Sequence, residues 1–542
     1  MLKLWGTNMN KEEVLSKLKT RFSGKKVLVL GLGREGKASL KFILENYAAL
    51  GVDSLGVADQ NVEVCRNCVL KANQTYNLSV QDFSGPDYLK SMAQFDLVLK
   101  SPGISFKGLE YLPAPEHTRE LASLKAAPKT EISCQVDLFL QLYGEQTVTV
   151  SGTKGKSTTT TLIKELLAIT GFDSVLLGNI GIAAFEQIFS LESKVAALEL
   201  SCHQLEFTCH ASSVALLTNF YPEHLDHYHS LAEYYQAKLN LLKFAKPGQI
   251  VVLPAYEPIL LELALAELKK EQRVFFLCRN LTDLQNLQKL YEDMKVPATA
   301  FAFYYDLTNK ELTLLGQLDQ ANAKTEKLKL AFSKQLEVVH IQLDSILAVI
   351  ATFAHSCIDY ERTNNSSLNT SLLKKLWAKF SQTKVAGINQ CLKNFIGLEH
   401  RLQYVGTYRT HQVYNDSIST IPLAAIKALQ ALPNCQTIIL GGLDRGLDYS
   451  SLIDFLKDKK VNVIALKDTG WKIVDCLQNL GAKTKAIKVE NMHAAVKLAY
   501  EITEADRGIL LSPAAASYNT YKDFTERGLD FVNEIKQQAE RI

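Results

Sequence analysis

The chain has 542 residues, roughly three or four ordinary domain lengths, with 47% hydrophobic and 22% charged residues, the balance of a soluble globular protein. Its 60 Lys and Arg stand against 57 Asp and Glu, a net charge of +3, and this near-balance argues against a nucleic-acid-binding surface, which needs clustered basic residues. Lysines interrupt the opening stretch MLKLWGTNMNKEEVLSKLKT, so no signal peptide is expected. No run of about 18 uncharged apolar residues occurs, so no membrane insertion is expected. The ten cysteines are scattered, and the one close pair, Cys65 and Cys68, has no second pair at zinc spacing. A reduced, cytoplasmic protein with incidental thiols is the expectation.

In chain order, KKVLVLGLGREGKASLKFIL (25–44) reads as a buried strand, a GxGxxG turn and an amphipathic helix. Asp59 ends the next apolar run, SLGVAD. The fingerprint signals a nucleoside diphosphate more safely than a nicotinamide cofactor, and a turn serving only helix–sheet packing gives the same pattern. A first boundary is expected near LQLYGEQ (140–146).

TVTVSGTKGKSTTTTLI (147–163) then reads as strand, glycine loop and helix. The amides from Gly152 through Thr153, Lys154 and Gly155 to Lys156 are expected to surround phosphate oxygens. Lys156 adds charge, and Ser157 offers a Mg²⁺ ligand at the positive end of the helix. Val150 stands where the common phosphate loop has glycine, so the loop is a shorter GxxGKS variant. A bare turn explains the glycines but not the Lys–Ser pair.

Phosphoryl transfer also needs a metal site. SKVAALELSCHQLE (193–206) reads as a buried strand presenting Glu199, Ser201 and Gln204 at its end. VALLTNFYPEHLDHYHS (214–230) is another, with Glu223, His224, Asp226 and His227 at its exit. Carboxyl ends of neighbouring parallel strands converge where open α/β sheets bind ligands. Taken singly, Glu199 also reads as a helix cap or surface carboxylate, and His224 as a core histidine. Lys238, in EYYQAKLNLL, reads on its own as an exposed helix lysine.

From about 255 to 395 strand signals weaken, and ERTNNSSLNTS (361–371) reads as a polar surface connection. After a second boundary near NFIGLEHRL (394–402), strand–glycine patterns return in QTIILGGLDRGLDYSSLIDFL (436–456), VNVIALKD (461–468) and GILLSPAAAS (508–517). Strands alternating with helices predict an α/β protein with mostly parallel sheets in every domain. The expected domains are 1–144, Rossmann-like; 145–396, P-loop ATPase-like with insertions; and 397–542, Rossmann-like.

Further motifs are KSPGIS (100–105), LGNIG (177–181), YQAKL (235–239), GLEHRL (397–402), YNDSIST (414–420) and LLSPAAASYNTYKDFTERG (510–528). With GLGREGKA, SGTKGKST, LELSCHQLE, PEHLDH and LGGLDRGLDYS, in this order, the chain resembles the Mur ligases from about residue 25 to its end. These are the ATP-dependent amino-acid-adding enzymes of peptidoglycan synthesis, and the MurD type is most similar. The resemblance implies three domains that bind a UDP-sugar, ATP with two Mg²⁺ ions, and glutamate, in a monomer. It implies a ligase that adds glutamate to UDP-N-acetylmuramoyl-L-alanine through an acyl phosphate, with D-glutamate as the default and L-glutamate as the alternative. A non-catalytic nucleotide-binding regulator is the reading from a different class, and it predicts loss of Lys156, Glu199, His224 and Lys238, all of which are present.

By matching position, the resemblance implies that Lys156, Ser157 and Thr158 hold the ATP phosphates and one Mg²⁺, and that Glu199 and His224 bind the second. It makes Lys238 a lysine carbamylated by CO₂ that organises the metal. Arg401 and Asp416 would contact nucleotide; Arg34, Glu35, Asp59 and Gln60 the uridine side; Ser101, Asn179, Ser201 and Gln204 the rest of the UDP-substrate. Thr420, Arg445, Ser517 and Phe524 would frame glutamate. Three departures stand out: Ile418 replaces a cation after YNDS, Arg445 replaces a lysine, and an adenine-contact segment is reduced to His340-Ile341-Gln342-Leu343-Asp344.

Overall fold

The structure is a computed structural model that describes residues 9–540 apart from 108–110, 113–119, 122–129, 181, 226, 319–325, 338 and 445. The chain forms two compact units, Met1–Phe395 and Ile396–Ile542.

The first unit contains two main sheets. Strands β1 (Lys26–Leu30), β2 (Ser54–Ala58), β3 (Val80–Asp82) and β4 (Leu97–Lys100) join β7 (Glu131–Ser133) in the parallel order β3-β2-β1-β4-β7. Between β4 and β7 lies a small antiparallel pair, β5 (Tyr111–Leu112) and β6 (Glu120–Leu121). In β1 the residues Val27, Leu28, Val29 and Leu30 are all buried. Such an unbroken apolar run needs cover on both faces, which crossover helices supply in a parallel sheet.

The second sheet has nine strands: β8 (Thr147–Ser151), β9 (Ser174–Gly178), β10 (Val195–Glu199), β11 (Val214–Leu217), β12 (Ile250–Pro254), β13 (Arg273–Cys278), β14 (Thr299–Asp306), β15 (Glu311–Gln317) and β16 (Lys327–Lys329). Their order is β16-β15-β14-β13-β12-β11-β8-β10-β9, parallel except where β15 and β16 add antiparallel. The phosphate-loop strand β8 therefore lies between β10 and β11, the two strands expected to carry metal ligands.

The stretch with weak strand signals holds β13 to β16 and two long helices, Val339–Asn364 and Thr370–Asn394. The first is long and apolar enough to cross a membrane, but 83% of its apolar window is buried inside the protein. It packs against the helix after the phosphate loop, with Leu347 and Ile350 in one cluster with Ile163 and Leu166. It is a core helix. The polar stretch 361–371 is mostly helix ends, with only 365–369 connecting them. Its asparagines act as caps: Asn365 takes φ 45°, and the Asn369 side chain accepts from the Leu372 amide, the usual reason for Asn at a helix start.

The second unit is built on one sheet of β17 (Gln403–Tyr408), β18 (His411–Asn415), β19 (Cys435–Gly442), β20 (Asn462–Asp468), β21 (Lys485–Lys488) and β22 (Gly508–Leu511). Its order is β17-β18-β22-β19-β20-β21, parallel apart from the β17–β18 hairpin. The α/β class with mostly parallel sheets is thus as the alternation of strand and helix patterns predicts.

Candidate active site

A cavity of about 380 Å³ opens at the carboxyl ends of the first sheet's strands, lined by Gly31, Arg34, Glu35, Asp59, Ser101 and Asn179 among others. The glycine turn is required by space. Gly31 has φ +84°, and a Cβ on Gly36 would lie 1.8 Å from the Gly31 carbonyl oxygen. The Asp59 carboxylate accepts the amides of Leu32 at 2.6 Å and Asn61 at 2.8 Å, fixing the turn. Ser101 Oγ donates to the Gly31 carbonyl at 2.6 Å. Burial raises the Glu35 pKa against the hydrogen bonds of Gln135 and Gln204. Gln60 is exposed and is not among the lining residues.

The phosphate loop links β8 to the helix Lys156–Thr170. Gly152 (φ +140°) and Gly155 (φ +81°) occupy left-handed backbone where a side chain is strained, and a Cβ on Gly152 would lie 2.0 Å from Thr218 Oγ1. The loop differs from the expected ring of amides in one respect. The Thr153 and Lys154 amides donate to Asn219, to its carbonyl at 2.9 Å and its side chain at 2.8 Å. Asn219 braces the loop from the end of β11, which leaves the amides from Gly155 into the first helical turn as the cradle for phosphate. Lys156 Nζ donates to the Thr153 carbonyl at 2.9 Å, and Ser157 is buried. Lys154 pairs with Glu223, so that carboxylate is held over the loop.

Glu199 ends β10, in register with Val150 of β8. Its Oε1 accepts from Asn179 Nδ2 at 2.8 Å, joining the cavity to the phosphate loop. Its Oε2 is buried with no hydrogen-bond partner among the described residues. His224 sits in left-handed backbone (φ 60°) with its side chain 42% exposed, so it is not a core histidine. Lys238 overturns the exposed-lysine reading, being 1% exposed. Its Nζ donates to the Gly152 carbonyl and lies 4.7 Å from the Tyr234 ring centroid. Tyr234 Oη meets Thr153 Oγ1 at 3.0 Å, and its ring is 5.8 Å from that of His224. Burial, helped by Lys156, lowers the Lys238 pKa to about 7. The neutral amine is therefore within reach near neutral pH.

Ser201 and Gln204 are taken up locally. They form a reciprocal capping box on the helix Cys202–Leu205, and Gln204 Nε2 donates to Glu35. Through these bonds the two residues brace the cavity wall.

In the second unit, Asp416 is buried and accepts from the Leu402 amide at 3.0 Å and Ser512 Oγ at 2.7 Å. Arg401 is exposed and Thr420 half-buried. Ser517 is buried, and Phe524 opens the helix Phe524–Glu540. Arg445 lies outside the described residues.

Residues 150–324 match the Mur ligase middle domain family. A UDP-N-acetylmuramoylalanine–D-glutamate ligase of Geobacillus kaustophilus is 30% identical over 525 residues, 95% of this chain and 98% of the relative. The chain belongs to the Mur ligase family. A ligase of the same name from Oceanobacillus iheyensis is 29% identical, covering 95% of this chain and 98% of its own. Among solved structures, the UDP-N-acetylmuramate-alanine ligase of Thermotoga maritima is 17% identical over 95% of this chain and 100% of its own, with a TM-score of 0.44.

Two groups in this Mur ligase escaped the sequence reading. Asp344, in the degraded segment, lies against the phosphate loop: a Cβ on Gly155 would be 2.1 Å from its Oδ2. Burial, with Glu257 nearby, raises its pKa to about 7. Arg527 is 1% exposed and donates to Ser417 Oγ at 3.1 Å, the Ala515 carbonyl at 3.0 Å and the Ser417 carbonyl at 2.8 Å. It ties together the segments that carry Thr420 and Ser517. Helical spacing signals it, because Phe531 and Ile535 follow at i+4 and i+8 on the buried stripe.

Proposed function

We propose that this Mur ligase joins the amine of D-glutamate to the lactyl-alanine carboxylate of UDP-N-acetylmuramoyl-L-alanine, using ATP, as a cytoplasmic monomer in peptidoglycan precursor synthesis. Segment 1–144 holds the UDP-sugar, 145–396 holds ATP with Mg²⁺, and 397–542 presents glutamate. The observation that carries the reading is the buried, unpartnered Glu199 Oε2 beside the phosphate loop. An orphaned carboxylate oxygen in a phosphate site is costly unless a cation meets it.

A carboxylate resists attack by an amine until one oxygen becomes a leaving group. The substrate carboxylate attacks the γ-phosphorus, ADP departs, and an acyl phosphate forms. The glutamate amine then attacks the acyl carbon, phosphate departs, and the new C–N bond remains after loss of the amine proton. Lys156 and the first turn of its helix hold the phosphates and balance charge during transfer.

The donor set fits Mg²⁺, which keeps several waters and takes only one or two protein carboxylates together with phosphate oxygens. No three His, Cys, Asp or Glu side chains surround one point among the described residues, so a metal held wholly by protein is not favoured. Ser157 would hold one ion, and Glu199 with His224 the second. The bound ions would neutralise charge between the γ-phosphate and the substrate carboxylate. Lys238, buried and with its pKa lowered to about 7, is suited to react with CO₂ as the neutral amine, and its carbamate would exchange a cation for an anion.

A phosphate-release assay with UDP-N-acetylmuramoyl-L-alanine, ATP, Mg²⁺ and each glutamate enantiomer tests the reading. Release dependent on all substrates and faster with D-glutamate is expected. Release only with L-glutamate would reassign the amino acid, and no release with either would overturn the ligase.

A further inference from the structure

The segment after β4 does more than line the cavity. Ser101 faces the cavity, while Lys100, one residue earlier, turns its amine into a buried network. Lys100 Nζ pairs with Glu206 Oε2 at 3.0 Å, and the same oxygen meets His227 Nε2 at 3.1 Å. Their side chains are 1%, 11% and 8% exposed. Four residues beyond Ser101, Ser105 Oγ donates to the His227 carbonyl at 2.9 Å. Lys107 Nζ reaches the Leu225 carbonyl at 2.6 Å.

The Ser105 and Lys107 contacts land on the turn that carries His224, and Lys100 reaches it through Glu206. That turn closes on the His224 carbonyl, which accepts the amides of His227 and Tyr228, both at 3.1 Å. His203 fills the inside of the turn, its ring 4.3 Å from His227 and 4.7 Å from His224. His224 holds a left-handed backbone, uncommon for a non-glycine residue, at the head of that turn. The cavity segment holds the residues on either side of the turn's closure, through the Leu225 and His227 carbonyls.

We propose that His227, held by Glu206 and Lys100, is a positioning residue that couples filling of the cavity to the placement of His224. The inference rests on the ligase reading above, which assigns UDP-sugar to the cavity and nucleotide with Mg²⁺ to the His224 side. Anchoring residues 101–104 by substrate fixes Lys100, Ser105 and Lys107, and through them the turn. The two ligands then bind with positive coupling, which by linkage is the same read from either side. A buried network transmits such a constraint because breaking one member strands the others.

The test is calorimetric titration of the full chain with a non-hydrolysable ATP analogue and Mg²⁺, with and without UDP-N-acetylmuramoyl-L-alanine. In the wild type the UDP-substrate should tighten nucleotide binding at least about fivefold, the low end of ordinary coupling. His227→Leu should reduce the coupling below about twofold on the same scale while each ligand alone still binds. His227→Gln, whose amide can still donate to Glu206, should restore most of it. Should His227→Leu fail to fold, Ser105→Ala carries the test, because it removes only the hydroxyl bond to the turn. Absence of coupling in the wild type, or coupling unchanged in these variants, overturns the proposal. Turnover measured on the same wild-type protein separates the two readings. Turnover without coupling sinks the coupling alone, and no turnover with either glutamate enantiomer sinks the ligase.

Discussion

The amine of Lys238 donates to the carbonyl of Gly152, so a side chain from the helix Leu231–Lys243 is fixed to the first glycine of the phosphate loop. Burial brings its pKa to about 7. Below that value the amine is an ammonium and cannot attack CO₂. Above it the neutral amine can. Lys238→Ala should be nearly inactive and partly restored by short carboxylic acids that fill the carbamate's place. At fixed total bicarbonate, wild-type activity should fall as pH drops below 7, and the rescued variant should lack that fall. Equal acid limbs in the two would remove Lys238 from the reaction.

Lys156→Ala should abolish ATP-dependent phosphate release while the melting temperature stays near wild type. Lys156 is half-buried and caps no core cluster, so its truncation leaves no internal cavity. Release near the wild-type rate would show that the loop holds no reacting phosphate.

Asp344 gives a stability prediction that needs no substrate. Its folded pKa of about 7 lies above the ordinary aspartate value of 3.8, so the folded state binds the extra proton. Stability from this group is complete below the unfolded pKa and is lost as pH rises through about 7. At pH 8 the carboxylate is buried beside Glu257, and replacing it with a neutral amide removes that cost. Asp344→Asn should therefore raise the melting temperature at pH 8 and change it little at pH 4. The gain should be on the order of 1–3 kcal/mol, since one pKa unit is about 1.4 kcal/mol and relaxation absorbs part of it. A larger gain at pH 4 than at pH 8 would contradict the buried carboxylate.

What the sequence made legible follows from how local each requirement is. Gly31, Gly36, Gly152 and Gly155 announce themselves because no other residue fits their backbone or their close approaches. The convergence of the strands before Glu199 and His224 on β8 was legible, since neighbouring parallel strands bring their carboxyl ends together. Lys238 was misread residue by residue, although the signal was present. Tyr234, Leu241 and Leu242 at i−4, i+3 and i+4 place it on the buried stripe of its helix. The polar run at 361–371 was misread as a loop because caps and loops use the same residues. Ser201 and Gln204 read as substrate contacts, and their capping box adds a local role that the same side-chain types also signal. The role of Arg527 was out of reach, because its acceptors, Ser417 and Ala515, are brought to it only by the fold.

Arg527 supports the last prediction. Burial lowers its pKa to about 10, so it remains charged at neutral pH. Its partners are two carbonyls and a hydroxyl, and the hydroxyl, Ser417 Oγ, donates its own hydrogen bond to the Phe524 carbonyl at 2.8 Å. One planar guanidinium thus sets three segments, those carrying Thr420, Ser517 and Phe524. Lysine keeps the charge but cannot present the fork that reaches both sides. Arg527→Lys should fold, with a loss on the order of 1–3 kcal/mol for the buried acceptors left unmet. It should raise the KM for glutamate at least about tenfold, the equivalent of roughly 1.4 kcal/mol of lost binding. The KM values for ATP and the UDP-substrate should change far less, because the ATP phosphates and the UDP-substrate are assigned to residues before 397. Steady-state kinetics with each substrate varied in turn, alongside thermal melting, reads all three. A variant that loses stability but keeps the glutamate KM would make Arg527 a fold staple with no part in placing the amino acid.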